Sequence, residues 1–181
     1  MPPIAELSRR LFVVPVAQND HGKSHMMRTI VNQATRIAYT NPSMGVYELR
    51  TPWGRLVKAL LFIRSYQEKL KIDHPSSLQD GLQAVDPRWR TRELIIMPSH
   101  LIPDPDLDVI IAQAHAAGFD AICVAVILEE AERRQYEGCW SKPWDERWTL
   151  ITPRTEGDWK PVASSMAHDL WVWIASALTR Q

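Results

Sequence analysis

Three short runs, LFVVPV at 11–16, ELIIMP at 93–98 and FDAICVAVIL at 119–128, are apolar almost throughout. A strand with one wetted face alternates apolar and polar residues. Unbroken apolar runs of this length instead suit strands covered on both faces, as in a parallel sheet between helices. The intervening segments have helical spacing. From Lys23 to Tyr39, residues Met26, Met27, Ile30, Val31, Ala34, Ile37 and Ala38 form one apolar stripe. DPDLDVIIAQAHAAG (104–118) puts acidic residues at a helix's positive end and Gly118 at its stop. EEAERRQYEG reads as a charged helix ending at Gly138, and Trp148–Ile151 as a short strand. Asp158–Leu178 reads as a last amphipathic helix with Pro161 in its first turn.

The middle is more ambiguous. VYELR, TPWG and RLVKALLFI read as strand, turn and strand, with a partly helical RLVKALLFIRSYQEKLK as the alternative. Residues 75–85 read as a helix that Asp86-Pro87 ends. Strands alternating with helices predict the α/β class, a three-layer sandwich around a mostly parallel central sheet. The 181 residues fit one domain.

Charge excludes little but narrows the partners. Twenty-one basic residues balance 21 acidic ones, so no global field draws the chain to nucleic acid or a membrane surface. The start, MPPIAELSRR, lacks the apolar core of a secretion signal, and no run is long enough to span a bilayer. Cys123 and Cys139 have neither CxxC spacing nor histidine partners, which points away from structural zinc and towards a reducing, cytoplasmic setting. Six of the eight tryptophans lie in the last quarter, so that region holds either a core wall or a recognition surface.

One motif bears on chemistry. AQNDHGKS, Ala17 to Ser24, follows the first apolar run and opens the first helix. A loop in this position can turn successive backbone N–H groups onto an anion at the positive end of the helix. The segment resembles the Walker A loop of P-loop NTPases, G-x-x-x-x-G-K-[ST], with Ala17 in place of the first glycine. The order of the later elements resembles the small-molecule and nucleotide kinases of that class. The resemblance implies ATP or GTP bound with Mg2+. Gln18, Asn19, Asp20, His21 and Gly22 would cradle the phosphates, Lys23 would clamp the β/γ-phosphates, and Ser24 would ligate the metal. It also implies a substrate-binding insertion over 40–90 and a lid over 129–146. The plainer reading is a Gly-Lys-Ser turn opening an ordinary helix, with Asn19 or Asp20 as its cap.

Other candidates surround this loop. The second strand ends Met97-Pro98-Ser99-His100, without the acidic residue that the resemblance calls for. His100 has the pKa range of a general base, Ser99 can assist a metal-bound water, and both can instead satisfy strand-end backbone. Asp20 is a second possible base or a loop cap. Arg133 and Arg134 on the lid segment can close on a phosphate or pair with nearby glutamates, and Arg147 and Arg154 are weaker candidates. RSYQEK gathers Arg64, Ser65, Tyr66, Gln67 and Glu68 at a strand end. If LLFI is a parallel strand beside the first, they face the crevice of the loop, with Glu68 on a substrate group and Arg64 on a phosphate; if the segment is helical, they line a polar face. Trp140, Trp144 and Trp148 either stack on a base or pack, and only one of Trp171 and Trp173 can face the core from a single helix. Together these residues suggest a nucleotide-binding protein that transfers the terminal phosphate to a small acceptor or hydrolyses it. The alternatives are a non-catalytic binding or assembly module whose tryptophan-rich surface meets a protein partner or a second copy of the chain, and an α/β domain with a chance GKS.

Overall fold

A computed structural model of the chain describes residues 9–18, 22–128, 130–151 and 160–179. Its strands are β1 (Leu11–Ala17), β2 (Gly45–Arg50), β3 (Leu56–Leu61), β4 (Leu94–Ile96), β5 (Ser99–His100), β6 (Asp120–Ile127) and β7 (Glu146–Ile151). They form one sheet in the order β2-β3-β4-β1-β6-β7, with β5 continuing past β4 along the same edge of β1. Only the β2–β3 pair is antiparallel; β3–β4, β4–β1, β5–β1, β1–β6 and β6–β7 are parallel. The strand–turn–strand reading of 46–63 therefore holds, and helix enters the span of its alternative only beyond that strand, in the 3₁₀ turn Tyr66–Glu68 and the turn Leu70–Asp73. The 40–90 stretch supplies the β2–β3 edge of the main sheet and the short helices that follow it.

The apolar runs are explained by the faces they bury. Leu11, Val13 and Ala17 of β1 point into one core, and Phe12, Val14 and Val16 point into the other. Helices α1 (Lys23–Thr35) and α6 (Lys160–Thr179) cover the first face through Met27, Ile30, Leu170 and Ile174. The opposite face is covered by α3 (Leu78–Val85), which follows the single turn α2 (Leu70–Asp73), and by α4 (Pro105–Ala116), with Trp89 stacked on Phe119. No described helix is long and apolar enough to cross a membrane.

Pro15 sits in the central strand, where a missing N–H normally breaks a ladder. Here parity resolves the problem. Leu11 donates to Glu93 O, while Val13 and Ala17 accept from Met97 and Leu101, so odd residues of β1 turn their backbone towards β4 and β5. Pro15 faces the same edge, at the gap where β4 stops and β5 begins. Its lost donor falls where no ladder runs.

Several boundaries differ from the sequence expectation. α1 stops at Thr35 rather than Tyr39. The Thr35 hydroxyl donates to Val31 O and accepts the Ile37 N–H, and Arg36 turns left-handed at φ 59°. Ile37 is consequently exposed, so its apolar spacing carried no packing information. Residues Glu130–Tyr136 form a 3₁₀ helix, and α5 (Glu137–Trp140) runs through Gly138 instead of ending there. β7 starts at Glu146, two residues early, where Arg9 bridges Asp120 and Glu146. Among the tryptophans, Trp171 is buried in the α1–α6 core, while Trp173 packs on Trp148 with ring centroids 4.8 Å apart.

Gly81 in α3 is held by contact rather than by backbone angle. A Cβ there would stand 2.8 Å from Leu70 Cγ. Gly81→Ala should therefore destabilise the fold by about 1 kcal/mol or more, although alanine is the better helix former. Urea unfolding measures this, and a stabilised variant would show that α2 and α3 are not packed as described.

Candidate functional site

The crevice follows from the connections. α1 leaves β1 over one face and leads towards β2 and β3. α4 leaves β5 over the other face and leads to β6. The carboxyl ends of β1 and β5 thus part in opposite directions, and ligands of open α/β sheets bind in such a gap.

Ala17 is the last residue of β1, paired in register with His100 and fully buried. A strand position suits alanine, which explains why this loop needs no glycine there. Gly22 does need to be glycine, because it precedes α1 at φ 80° and ψ 11°. No side chain among the described residues caps this helix start, and its first turn holds no acidic residue. Lys23 comes next, and its side chain folds back to the end of β1. Its ammonium donates to Ala17 O at 2.9 Å and Gln18 O at 2.8 Å, and only 6% of the residue is exposed. Burying an ammonium is costly unless carbonyls or carboxylates replace its water. Asn19, Asp20 and His21 lie outside the described residues, as does Arg154.

His100 joins this lysine to Glu68. Its Nδ1 is 3.5 Å from Lys23 Nζ, and its Nε2 is 3.4 Å from Glu68 Oε1. An ammonium has no acceptor, so the neutral ring turns its lone pair at Nδ1 to Lys23 and its Nε2–H to Glu68. Burial and the Lys23 charge hold the imidazole below its ordinary pKa of 6.5, while Glu68 pulls it upward. Glu68 itself closes a turn: its Oε2 accepts the Ser65 N–H at 3.2 Å in a capping box around the 3₁₀ helix Tyr66–Glu68. The Tyr66 N–H donates to Pro98 O, fastening that turn to the gap between β4 and β5.

Gln67, expected at the crevice only as one polar group of RSYQEK and given no role of its own there, is a positioning residue. Its Oε1 accepts the His100 N–H at 2.9 Å, and its Nε2 donates to the buried Ser99 hydroxyl at 2.9 Å. A lone glutamine in RSYQEK carries no signal of this; only its proximity to β5 reveals it. Ser99 in turn donates to His100 O. The two segments that sequence separates by some thirty residues are thus locked together at the crevice.

The remaining candidates sit elsewhere. Ser24 and Arg64 line a cavity of about 790 Å³ between α1, the 41–44 loop and the end of β3. Arg133 pairs with Glu130 and, like Arg134, is exposed. Arg147 donates to Trp140 O and Lys142 O, tying α5 to β7. The segment carrying Arg133 nevertheless touches the loop, because Gln18 donates to the Gln135 side chain. Tyr136 is buried beside it and donates to Val126 O at 2.8 Å. Among the tryptophans of this region, Trp144 donates to Cys139 O, and Cys139 faces Cys123 with the sulfurs 3.6 Å apart. No group of three or more His, Cys, Asp or Glu among the described residues gathers as a metal site.

The Lys23–His100–Glu68 row makes a signed prediction. Glu68→Gln removes the upward pull and should lower the His100 pKa further, whereas Lys23→Met removes a downward push and should raise it. Titration of the imidazole resonances by NMR reads both shifts, and a His100 pKa unmoved by either change would refute the row. A folded imidazole that resists protonation is matched by an unfolded one that titrates near 6.5. The contribution of His100 to stability is then fully present above that value and declines as pH falls below it. His100→Gln should flatten this acid-side loss in urea melts collected from pH 7.5 to 5.

Comparison with protein-family models, with curated proteins and with solved structures returns no match to this chain.

Proposed function

We propose that this chain is a P-loop-type protein that binds ATP or GTP with Mg2+ at residues 17–24 and transfers or hydrolyses the terminal phosphate. One observation carries the reading. A buried lysine ammonium between strand and helix is held by the carbonyls of Ala17 and Gln18, beside a left-handed glycine and a helix start that no described side chain caps. The three-layer arrangement that the reading calls for agrees with helices on both sheet faces and with β1 lying between β4 and β6.

The residues present fit such a ligand. The ammonium of Lys23 can exchange two neutral carbonyls for phosphate oxygens, a stronger, charge-assisted pairing. Ser24, exposed at the first turn of α1, offers its hydroxyl to the metal. Bound magnesium would supply neutralisation of the charge that grows on the phosphate oxygens. When Lys23 moves onto phosphate, His100 Nδ1 loses its neighbour and can take the proton of an attacking hydroxyl or water. Glu68, across the ring at Nε2, then stabilises the imidazolium that forms.

A second reading keeps the nucleotide and drops the turnover. β5 ends in His100 rather than a carboxylate, and Glu68 reaches the ring from a separate turn. A binding or assembly module would have that composition too.

Calorimetry with Mg-ATP and Mg-GTP should show binding to the full chain and a loss of at least about tenfold in Lys23→Ala. Unchanged affinity in that variant would reject the proposal. Phosphate release then separates the two readings: in an enzyme, His100→Gln should lower kcat by about a hundredfold while leaving nucleotide affinity nearly intact. Binding without any release by the unaltered chain favours the assembly module.

A further inference from the structure

The cavity beside α1 is chemically distinct from the loop that it adjoins. Its walls come from the first two turns of α1, the 41–44 loop, the end of β3 and the start of α2. Arg28, Arg64 and Lys69 line it, and among the described residues its lining includes no Asp or Glu. Like charges crowded around one hollow repel each other, and an anion between them relieves that repulsion. Lys69 already pairs with Asp73 at 2.8 Å on its own helical turn. Arg64 is exposed at the cavity wall.

Arg28 gives the more telling sign. Its Nε is buried and finds no hydrogen-bond partner among the described residues. A buried donor left unmatched is costly, more so when charged, unless a bound group completes it. Met44, Phe62 and Leu70 meanwhile present apolar surface to the same space. The volume, about 790 Å³, lies within the range of small-molecule sites.

We infer that this cavity binds a small organic anion, a phosphate ester or a carboxylate. Its acidic group sits against Arg28 and Arg64, and its apolar body lies on Met44, Phe62 and Leu70. As the phosphate acceptor's site, this rests on the proposed function, since Ser24 borders both the loop and the cavity. As an anion site, it stands on the lining alone.

The test uses phenyl phosphate, benzoate and neutral benzyl alcohol as probes, titrated calorimetrically into the full chain with and without saturating Mg-ATP. One or both anions should bind at a single site, and benzyl alcohol should bind at least tenfold more weakly. Which anion binds more tightly distinguishes a phosphate ester from a carboxylate. Arg64→Gln alters an exposed side chain and should weaken anion binding at least tenfold; Arg28→Gln should do the same, provided its circular dichroism matches that of the unaltered chain. Equal binding of the neutral probe, no anion binding, or affinity indifferent to Arg64→Gln would overturn the inference. So would anion binding that Mg-ATP abolishes, because the probe would then occupy the loop. Anion binding with no Mg-ATP binding at all would remove the phosphate-loop reading and leave the cavity assignment standing.

Discussion

The structure depends on β1 being buried on both faces and paired on both edges. Its even residues fill one core and its odd residues the other, and β4, β5 and β6 saturate its backbone except at Pro15. A strand held this firmly gives the chain that follows it a fixed departure point. Ala17 ends the strand, Gly22 turns, and Lys23 is returned beneath the carbonyls of Ala17 and Gln18. Precise placement of an ammonium requires a rigid support, and here that support is the centre of the sheet.

The row from Lys23 through His100 to Glu68 shows how electrostatics grows out of topology. β5 continues the line of β4 along β1, which brings His100 level with Ala17. The Tyr66–Glu68 turn reaches the same place because its backbone is bound to Pro98 and Gln67 is bound to Ser99 and His100. A partly buried imidazole between a cation and an anion is poised by opposing pulls, so its protonation answers to whatever the cation does next. Pro15 in β1 and Pro98 between β4 and β5 meet at the break in the ladder, just before the strand ends that form the crevice.

Much of this was readable in advance, and for physical reasons. Continuous apolar runs with no alternation marked β1, β4 and β6, because a doubly covered strand has no wet face to record. Gly22 and Lys23 stood out through their likeness to a phosphate-binding loop, and the structure turns the first left-handed and buries the second. The failures are equally physical. Ile37 extended the apolar stripe of α1 although Thr35 had already closed the helix through its hydroxyl. Gly138 resembled a stop but lies inside α5. Gln67 could be placed at the crevice only as one polar group of RSYQEK, since an amide acquires its particular role from the partners brought to it.

The sequence by itself determined the α/β class, the strand that feeds the loop and the residue types able to hold an anion there. These are local matters of periodicity, backbone angle and side-chain chemistry. Only the tertiary structure decided that Glu68 faces His100, that Gln67 fastens β5, and that Arg28 and Arg64 share one cavity with Met44 and Phe62. Each of these joins segments far apart in the chain. Their meeting is set by strand order and crossover direction, which no short window of residues encodes.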